Sequence, residues 1–191
     1  MTLHTLDEAA RLLKTATIKS FDSSNKPLVR DLEWVLASCQ GAGYASRIMR
    51  YALDNITDYQ RRGQRSFYCA TPDRMALNAE ANPVKIKWHA GQRPLPYLND
   101  HLIPLKQQYL QMTRMQVKDI EQIYDYIARW NWILAVTADE EKRLMKDTMP
   151  HDWDGEDLFA RPRQREITHI HLFPGRLASG YWHVDNLGPR S

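Results

Sequence analysis

Apolar side chains recur at intervals of three and four residues along the first third of the chain, which is the spacing of one helix face. Three helices are predicted there, over about 6–19, 27–38 and 44–61. The capping box Thr5-Leu-Asp-Glu8 begins the first helix, and a proline in the first turn suits the start of the second. The predicted core face of the third helix carries Ile48, Tyr51, Ala52, Asn55, Ile56 and Tyr59.

The longest stripe of this kind lies between residues 104 and 136 and predicts one long amphipathic helix. Such a stripe is typical of a central core helix, and because it covers several heptads it also fits a homodimer seam. Thr137-Ala-Asp-Glu140 is a second capping box, which predicts a further short helix to about residue 147. The stripe consists of Leu105, Tyr109, Met112, Gln116, Ile120, Ile123, Ile127, Trp130 and Leu134.

Strand patterns are shorter and lie mostly in the second half of the chain. Strict alternation at Val84-Lys-Ile-Lys-Trp88 predicts a half-buried strand with a basic outer face. Further strands are predicted at 66–70, and at 165–173 and 180–185 as an antiparallel hairpin. Three prolines predict a loop over 91–104. Together these elements predict an α+β fold, predominantly helical, with helices packed against a small antiparallel sheet or a C-terminal β-hairpin.

The length of 191 residues fits a single domain over 1–191. Its stretches are a helical part (1–62), a mixed part (63–103), the long and short helices (104–149), and a C-terminal loop and hairpin (150–191). No apolar run reaches the length of a membrane span, and the N-terminus lacks the apolar core of a signal peptide. With two cysteines, Cys39 and Cys69, a reduced cytoplasmic protein without membrane partners is expected.

Charge is weakly positive overall, with 26 lysines and arginines against 23 acids, but it is segregated along the chain. Aromatic residues interleave with the basic stretches, and cations beside stacking rings are typical of nucleic-acid binding. The leading hypothesis is binding to DNA or RNA, or to a protein complex that handles nucleic acid. A module that binds only proteins is an alternative. The candidate residues are Arg61, Arg62, Arg65, Lys85, Lys87, Arg93, Arg161, Arg163, Arg165 and Arg176.

Three histidines form a second candidate site. His169-Ile-His171 places two imidazoles on one strand face, and a hairpin that turns near Arg176 would set His183 opposite His169. Neutral imidazoles bind divalent transition metals, so this cluster predicts a metal-dependent phosphodiesterase or nuclease as an alternative function. Ordinary strand histidines without metal are the other interpretation. The tripeptide resembles the metal-binding strand of rolling-circle endonucleases and relaxases, but no Tyr-x-x-Lys helix follows it.

Other catalytic motifs are missing from the sequence. It contains no Gly-x-Ser-x-Gly elbow, no phosphate-binding Gly-Lys-Ser/Thr loop and no Cys-x-x-Cys pair. The acidic run Asp152-Trp-Asp-Gly-Glu-Asp157 lacks the full ligand spacing of a calcium loop and is predicted to be a solvated loop. The sequence therefore favours a binding protein over an enzyme, with no catalytic residue assigned and no cofactor apart from the alternative metal.

Overall fold

A computed structural model describes residues 3–14, 23–41, 46–61, 69–80, 97–144 and 147–172. The strands in these ranges are β1 (Leu3–Thr5), β2 (Cys69–Ala70), β3 (Tyr97–His101), β4 (Ile133–Thr137) and β5 (His169–Leu172). The helices are α1 (Leu6–Lys14), α2 (Lys26–Cys39), α3 (Ser46–Arg61), α4 (Pro72–Glu80), α5 (Leu105–Arg114), α6 (Ile120–Trp130), α7 (Ala138–Arg143) and α8 (Ala160–Gln164). The prediction of a mostly helical α+β fold is confirmed.

The strands form one sheet in the order β1-β5-β2-β4-β3. β5 is antiparallel to both β1 and β2, and β3 is antiparallel to β4, but β2 and β4 are parallel. The sheet is therefore mixed rather than antiparallel. The reason is the connection between β2 and β4, which passes through helices and returns the chain in the same direction, as parallel neighbours require.

Two apolar cores hold the molecule together. The first lies on the sheet, where Leu134, Val136, Ile170 and Leu172 pack with α1 and with Phe159. The second lies among α2, α3, α5 and α6, and includes Leu32, Leu53, Met112, Ile123 and Ile127. Trp130 packs against both cores.

The prediction of one helix over 104–136 is wrong. α5 ends at Arg114, Gln116 has a φ of +52°, and Asp119 caps the new helix α6 by accepting a hydrogen bond from the Gln122 amide at 2.8 Å. Beyond α6, the apolar run Ile133–Val136 is a buried strand. Because Ile123 and Ile127 are fully buried inside the chain, the stripe is a core face. The helix expected to provide a homodimer seam is absent.

Two strand predictions also need correction. The proline-rich stretch 91–104 contains β3, which pairs with β4 at the sheet edge. The C-terminal hairpin has no room beside β5 at the predicted register, because His171 is already flanked by Leu3 on one side and Ala70 on the other. The predicted strands at 84–88 and 180–185 lie outside the described residues.

Three strands that run in the same direction each lead into a helix that a threonine caps: Thr5 and Thr137 end β1 and β4, and Thr71 directly follows β2. Thr5, Thr71 and Thr137 accept hydrogen bonds from the third amide of α1, α4 and α7. Both predicted capping boxes are confirmed, since the carboxylates of Glu8 and Glu140 accept hydrogen bonds from the amides of Thr5 and Thr137. α4 has an arginine where the other two helices have glutamate.

Glu140 also accepts a hydrogen bond from the threonine that caps α4. It is only 4% exposed, and its Oε2 accepts hydrogen bonds from the Thr137 amide at 2.8 Å and from the Thr71 hydroxyl at 2.7 Å. One carboxylate therefore serves the starts of two helices, α4 and α7. The Glu140 carboxylate therefore connects the ends of the parallel strands β2 and β4 by hydrogen bonds.

The break between α5 and α6 predicts an unusual response to glycine. Gln116→Gly should keep the free energy of unfolding or raise it by up to about 1 kcal/mol, because glycine adopts positive φ without steric cost. In an unbroken helix the same change would cost about 1 kcal/mol. Urea unfolding measures the sign. Arg50→Gly, at an exposed interior position of α3, is the control that should be destabilising by about 1 kcal/mol.

Glu140→Ala should lower the free energy of unfolding by about 2–4 kcal/mol, since it removes two hydrogen bonds to a buried carboxylate and leaves the Thr71 hydroxyl without its acceptor. Glu8→Ala removes the corresponding glutamate of an exposed capping box and should cost distinctly less. Thermal unfolding of the two variants provides the comparison. Equal losses would show that the link to Thr71 contributes nothing.

Candidate nucleic-acid interface

The outer face of α3 exposes aromatic and apolar side chains between arginines. Tyr51 is 58% exposed and Ile48 is 39% exposed, while Arg47 and Arg50 are exposed on the same helix. Large apolar side chains on a surface mark contact sites more often when polar groups surround them. Here the surrounding groups are cations, which suits a partner that carries negative charge and flat rings.

The phase of α3 explains this exposure. Met49, Ala52, Leu53 and Ile56 follow the spacing i, i+3, i+4, i+7 and are buried against the neighbouring helices. The predicted core face was wrong at Ile48 and Tyr51, which lie to one side of this stripe. The spacing of the four buried residues is the signal that would have set the phase correctly and left Arg47, Arg50 and Tyr51 outside.

Two arginines of α3 differ in their pairing from Arg30 of the adjacent helix α2. Arg30 lies over the ring of Trp34, with its guanidinium carbon 5.1 Å from the ring centroid, and it also pairs with the buried carboxylate of Asp31. Arg47 and Arg50 have no ion pair with any described residue. Their guanidinium groups are therefore available to phosphates.

The structure describes only part of the predicted basic set. Arg61 is the last residue of α3, the same helix that carries Arg47 and Arg50. The side chain of Arg61 is not among those described. Six residues of the predicted basic set lie outside the described residues: Arg62, Arg65, Lys85, Lys87, Arg93 and Arg176. Their convergence on one surface stays a prediction.

The three arginines around α8 differ in their surroundings. Arg161 is 3% exposed and donates to the carbonyl of His101 at 2.6 Å and to the carboxylate of Asp100 at 2.8 Å. This side chain joins α8 to β3, and its burial leaves no face for a phosphate. The prediction that Arg161 binds nucleic acid therefore needs correction, because a buried guanidinium must be paired inside the protein.

Arg163 and Arg165 are both exposed. Arg163 donates to Asp7 at 2.8 Å and to Asp157 at 3.2 Å. Partial burial opposes the charged form, but the hydrogen bond that Arg163 donates to Asp7 and the field of Asp157 outweigh it and raise the pKa of Arg163. Two carboxylates beside one guanidinium weaken its attraction for a further anion. Arg165 is the member of this trio best placed to meet a phosphate.

The two described histidines of the candidate metal site share a strand face. His169 is exposed and His171 is half-buried, while Ile170 and Leu172 point into the core. His169 Nδ1 lies 2.9 Å from the Thr168 hydroxyl, and His171 Nδ1 is buried without a hydrogen-bond partner. His183 lies outside the described residues, and within the described ranges no group of three potential ligands could hold a metal ion. The three-histidine site stays a prediction, but the hairpin register that would have brought His183 beside His169 does not fit, because both sides of β5 are already paired.

The sheet edge where β1, β2 and β4 end is a second place where phosphates often bind, because helix N-termini carry partial positive charge. In this protein that edge carries first-turn acids: Asp7 and Glu8 in α1, Asp73 in α4 and Asp139 in α7. These carboxylates compensate the helix ends and repel a polyanion. The electrostatics therefore favour α3 over the sheet edge.

Compared with known proteins, the chain matches no family model, no curated protein and no solved structure. Among the described residues, no helix combines the length and the apolar composition needed to cross a membrane. The functional argument consequently depends on the surfaces of the molecule itself.

Arg161 and Arg165 offer a paired test of structural against surface roles. Arg161→Ala should lower the free energy of unfolding by about 2–4 kcal/mol, because the His101 carbonyl and the Asp100 carboxylate lose their donor. Arg165→Ala, at an exposed position, should change it by less than about 0.5 kcal/mol. Chemical unfolding of both variants decides this. A stable Arg161→Ala protein would contradict the structural assignment.

Proposed function

We propose that this protein binds single-stranded nucleic acid through the outer face of α3. The observation that carries the proposal is the exposed ring of Tyr51 on the same helix as the exposed Arg47, one turn away, and Arg50, its neighbour in sequence, neither of which has an ion pair with a described residue. Stacking on a ring accepts any base, and two cations neutralise the neighbouring phosphates. A duplex buries its base faces inside the stack, so a stacking ring of this kind favours a single strand.

The sequence around α3 extends this basic surface. Between residues 42 and 72 the chain contains five arginines and two aspartates, together with five aromatic residues. Arg61, Arg62 and Arg65 belong to this stretch and are part of the proposed interface. Such a bias supports a polyanionic partner more than an acidic protein, because aromatic rings add affinity for bases.

The proposed location is the cytoplasm, where single-stranded nucleic acid is available as a partner. Both cysteines are free thiols, and Cys69 is fully buried with its Sγ 3.0 Å from the Ile133 carbonyl. Burial raises the pKa of Cys69 and keeps the thiol protonated and unreactive. Free thiols are the usual state in a reducing compartment.

The proposal predicts a specific salt dependence. Arg47→Ala/Arg50→Ala should weaken binding to a fluorescent single-stranded oligonucleotide, and the slope of log affinity against log salt should fall by about 1.4 for two lost phosphate contacts. Tyr51→Ala should reduce affinity about tenfold with little change in that slope, because a stacking contact carries no charge. Fluorescence anisotropy over a series of salt concentrations measures both effects.

Arg114→Ala/Arg143→Ala is the matched control, since it removes two exposed arginines that lie at the ends of α5 and α7 and belong to no candidate site. It should bind as the wild type does. Loss of binding in this control with retention in the α3 variant would move the interface away from α3. Failure of the wild type to bind any single strand at low salt would eliminate the function and would favour a protein partner.

A further inference from the structure

A cleft of about 340 Å³ opens where α5 meets α6. Its wall is aromatic: the rings of Tyr126 and Trp130 have centroids 6.4 Å apart and planes inclined at 36°. At the rim, Met115 is 62% exposed and contributes a polarisable thioether. The half-buried ring of Trp130 can stack on a base, and a volume at the lower end of the small-molecule range suits one planar ring system.

The two aromatic side chains of the cleft carry no charge. The Tyr126 hydroxyl is hydrogen-bonded to the side-chain oxygen of Gln111. Burial, together with the nearby Cys39, raises the pKa of Tyr126, so the phenol stays protonated. The selectivity of the cleft must therefore come from the polar groups beside these rings.

Those polar groups form a row along α6. Gln122, Asp125 and Arg129 line the cleft at positions i, i+3 and i+7, which is one side of a helix. The Gln122 side-chain oxygen accepts a hydrogen bond from the Lys118 amide at 2.7 Å, and this leaves the side-chain NH2 free to donate. Neither Asp125 nor Arg129 has an ion pair with another described residue. Along this side of α6, Gln122 therefore offers a donor, Asp125 a carboxylate acceptor, and Arg129 a donor.

A guanine base presents the complementary edge. Its N3 accepts, its N2 amino group and N1–H donate side by side, and its O6 and N7 accept. A carboxylate with two oxygens matches the paired donors, and a guanidinium matches the paired acceptors. Adenine offers a single amino group between two acceptors, and one of those acceptors would face a carboxylate oxygen. Uracil has one donor and a smaller ring.

We propose that this cleft binds a guanine base, stacked against the aromatic wall, with Asp125 accepting from N1 and N2, Arg129 donating to O6 and N7, and Gln122 donating to N3. The site is separate from the outer face of α3 and does not rest on the function proposed for that helix. The base could belong to a free nucleotide or to a strand, and the same edge would be recognised in both.

Calorimetric titration of the whole protein with GMP, AMP and IMP tests the assignment. GMP should bind about tenfold or more tightly than AMP, and IMP, which lacks the N2 amino group, should be weakened by a similar factor because one charge-assisted hydrogen bond is lost. Asp125→Asn should abolish the preference for GMP over IMP. Glu121→Gln, which neutralises an exposed carboxylate on the same helix away from the cleft, should keep it.

A second arm distinguishes the source of the base. A short oligothymidine with one central guanine is compared with the same strand carrying inosine, using wild type, Asp125→Asn and Arg47→Ala/Arg50→Ala. Guanine preference in the strand but not with GMP identifies a strand as the source. A guanine preference that persists in Arg47→Ala/Arg50→Ala would show that the cleft recognises the base without the α3 surface. The proposal is overturned if neither arm shows a guanine preference. It is also overturned if Asp125→Asn, with a wild-type circular dichroism spectrum, keeps the guanine preference.

Discussion

The carboxylate of Glu140 joins two helix starts across the parallel strands β2 and β4. Within the described residues β2 has only two residues, so few of its ladder hydrogen bonds with β4 and β5 are described. The buried link from Glu140 to Thr71 fixes where α4 leaves this short strand. Without it, the Thr71 hydroxyl would be a buried polar group with no acceptor from α7, which is costly away from water. The centre of the sheet depends on this one acidic side chain.

Several described arginines around the two cores differ in whether they form ion pairs. Around the sheet, Arg161 is buried against Asp100, and Arg163 is shared by Asp7 and Asp157. Around the helical core, Arg47 and Arg50 of α3 and Asp125 and Arg129 of α6 are exposed and have no ion pair with a described residue. The two proposed recognition surfaces therefore both lie on helices of the second core. A rigid, fully buried stripe beneath each of them holds the recognition side chains in place.

The sequence predicted the candidate nucleic-acid interface only in part. A basic and aromatic bias around α3 is visible in the sequence, but the predicted helix phase places Tyr51 on the core face, and the basic set taken from segregated charge stretches does not include Arg47 and Arg50. Arg161 looked like its neighbours Arg163 and Arg165, although it is buried. A one-dimensional charge pattern does not tell which of three alternating arginines points inward. That choice depends on β3, sixty residues away along the chain, which supplies Asp100 and the His101 carbonyl.

The sequence by itself determined the local signals: both capping boxes, the positions of α2 and α3, and the helical α+β class. These depend on contacts within one or two turns, which neighbouring residues specify. Tertiary structure decided the break after α5, the strand at Ile133–Thr137 and both neighbours of β5. An apolar run such as Ile133–Val136 fits a buried helix or a buried strand equally well. Only pairing with β2 and β3, which are distant in sequence, satisfies its backbone hydrogen bonds as a strand.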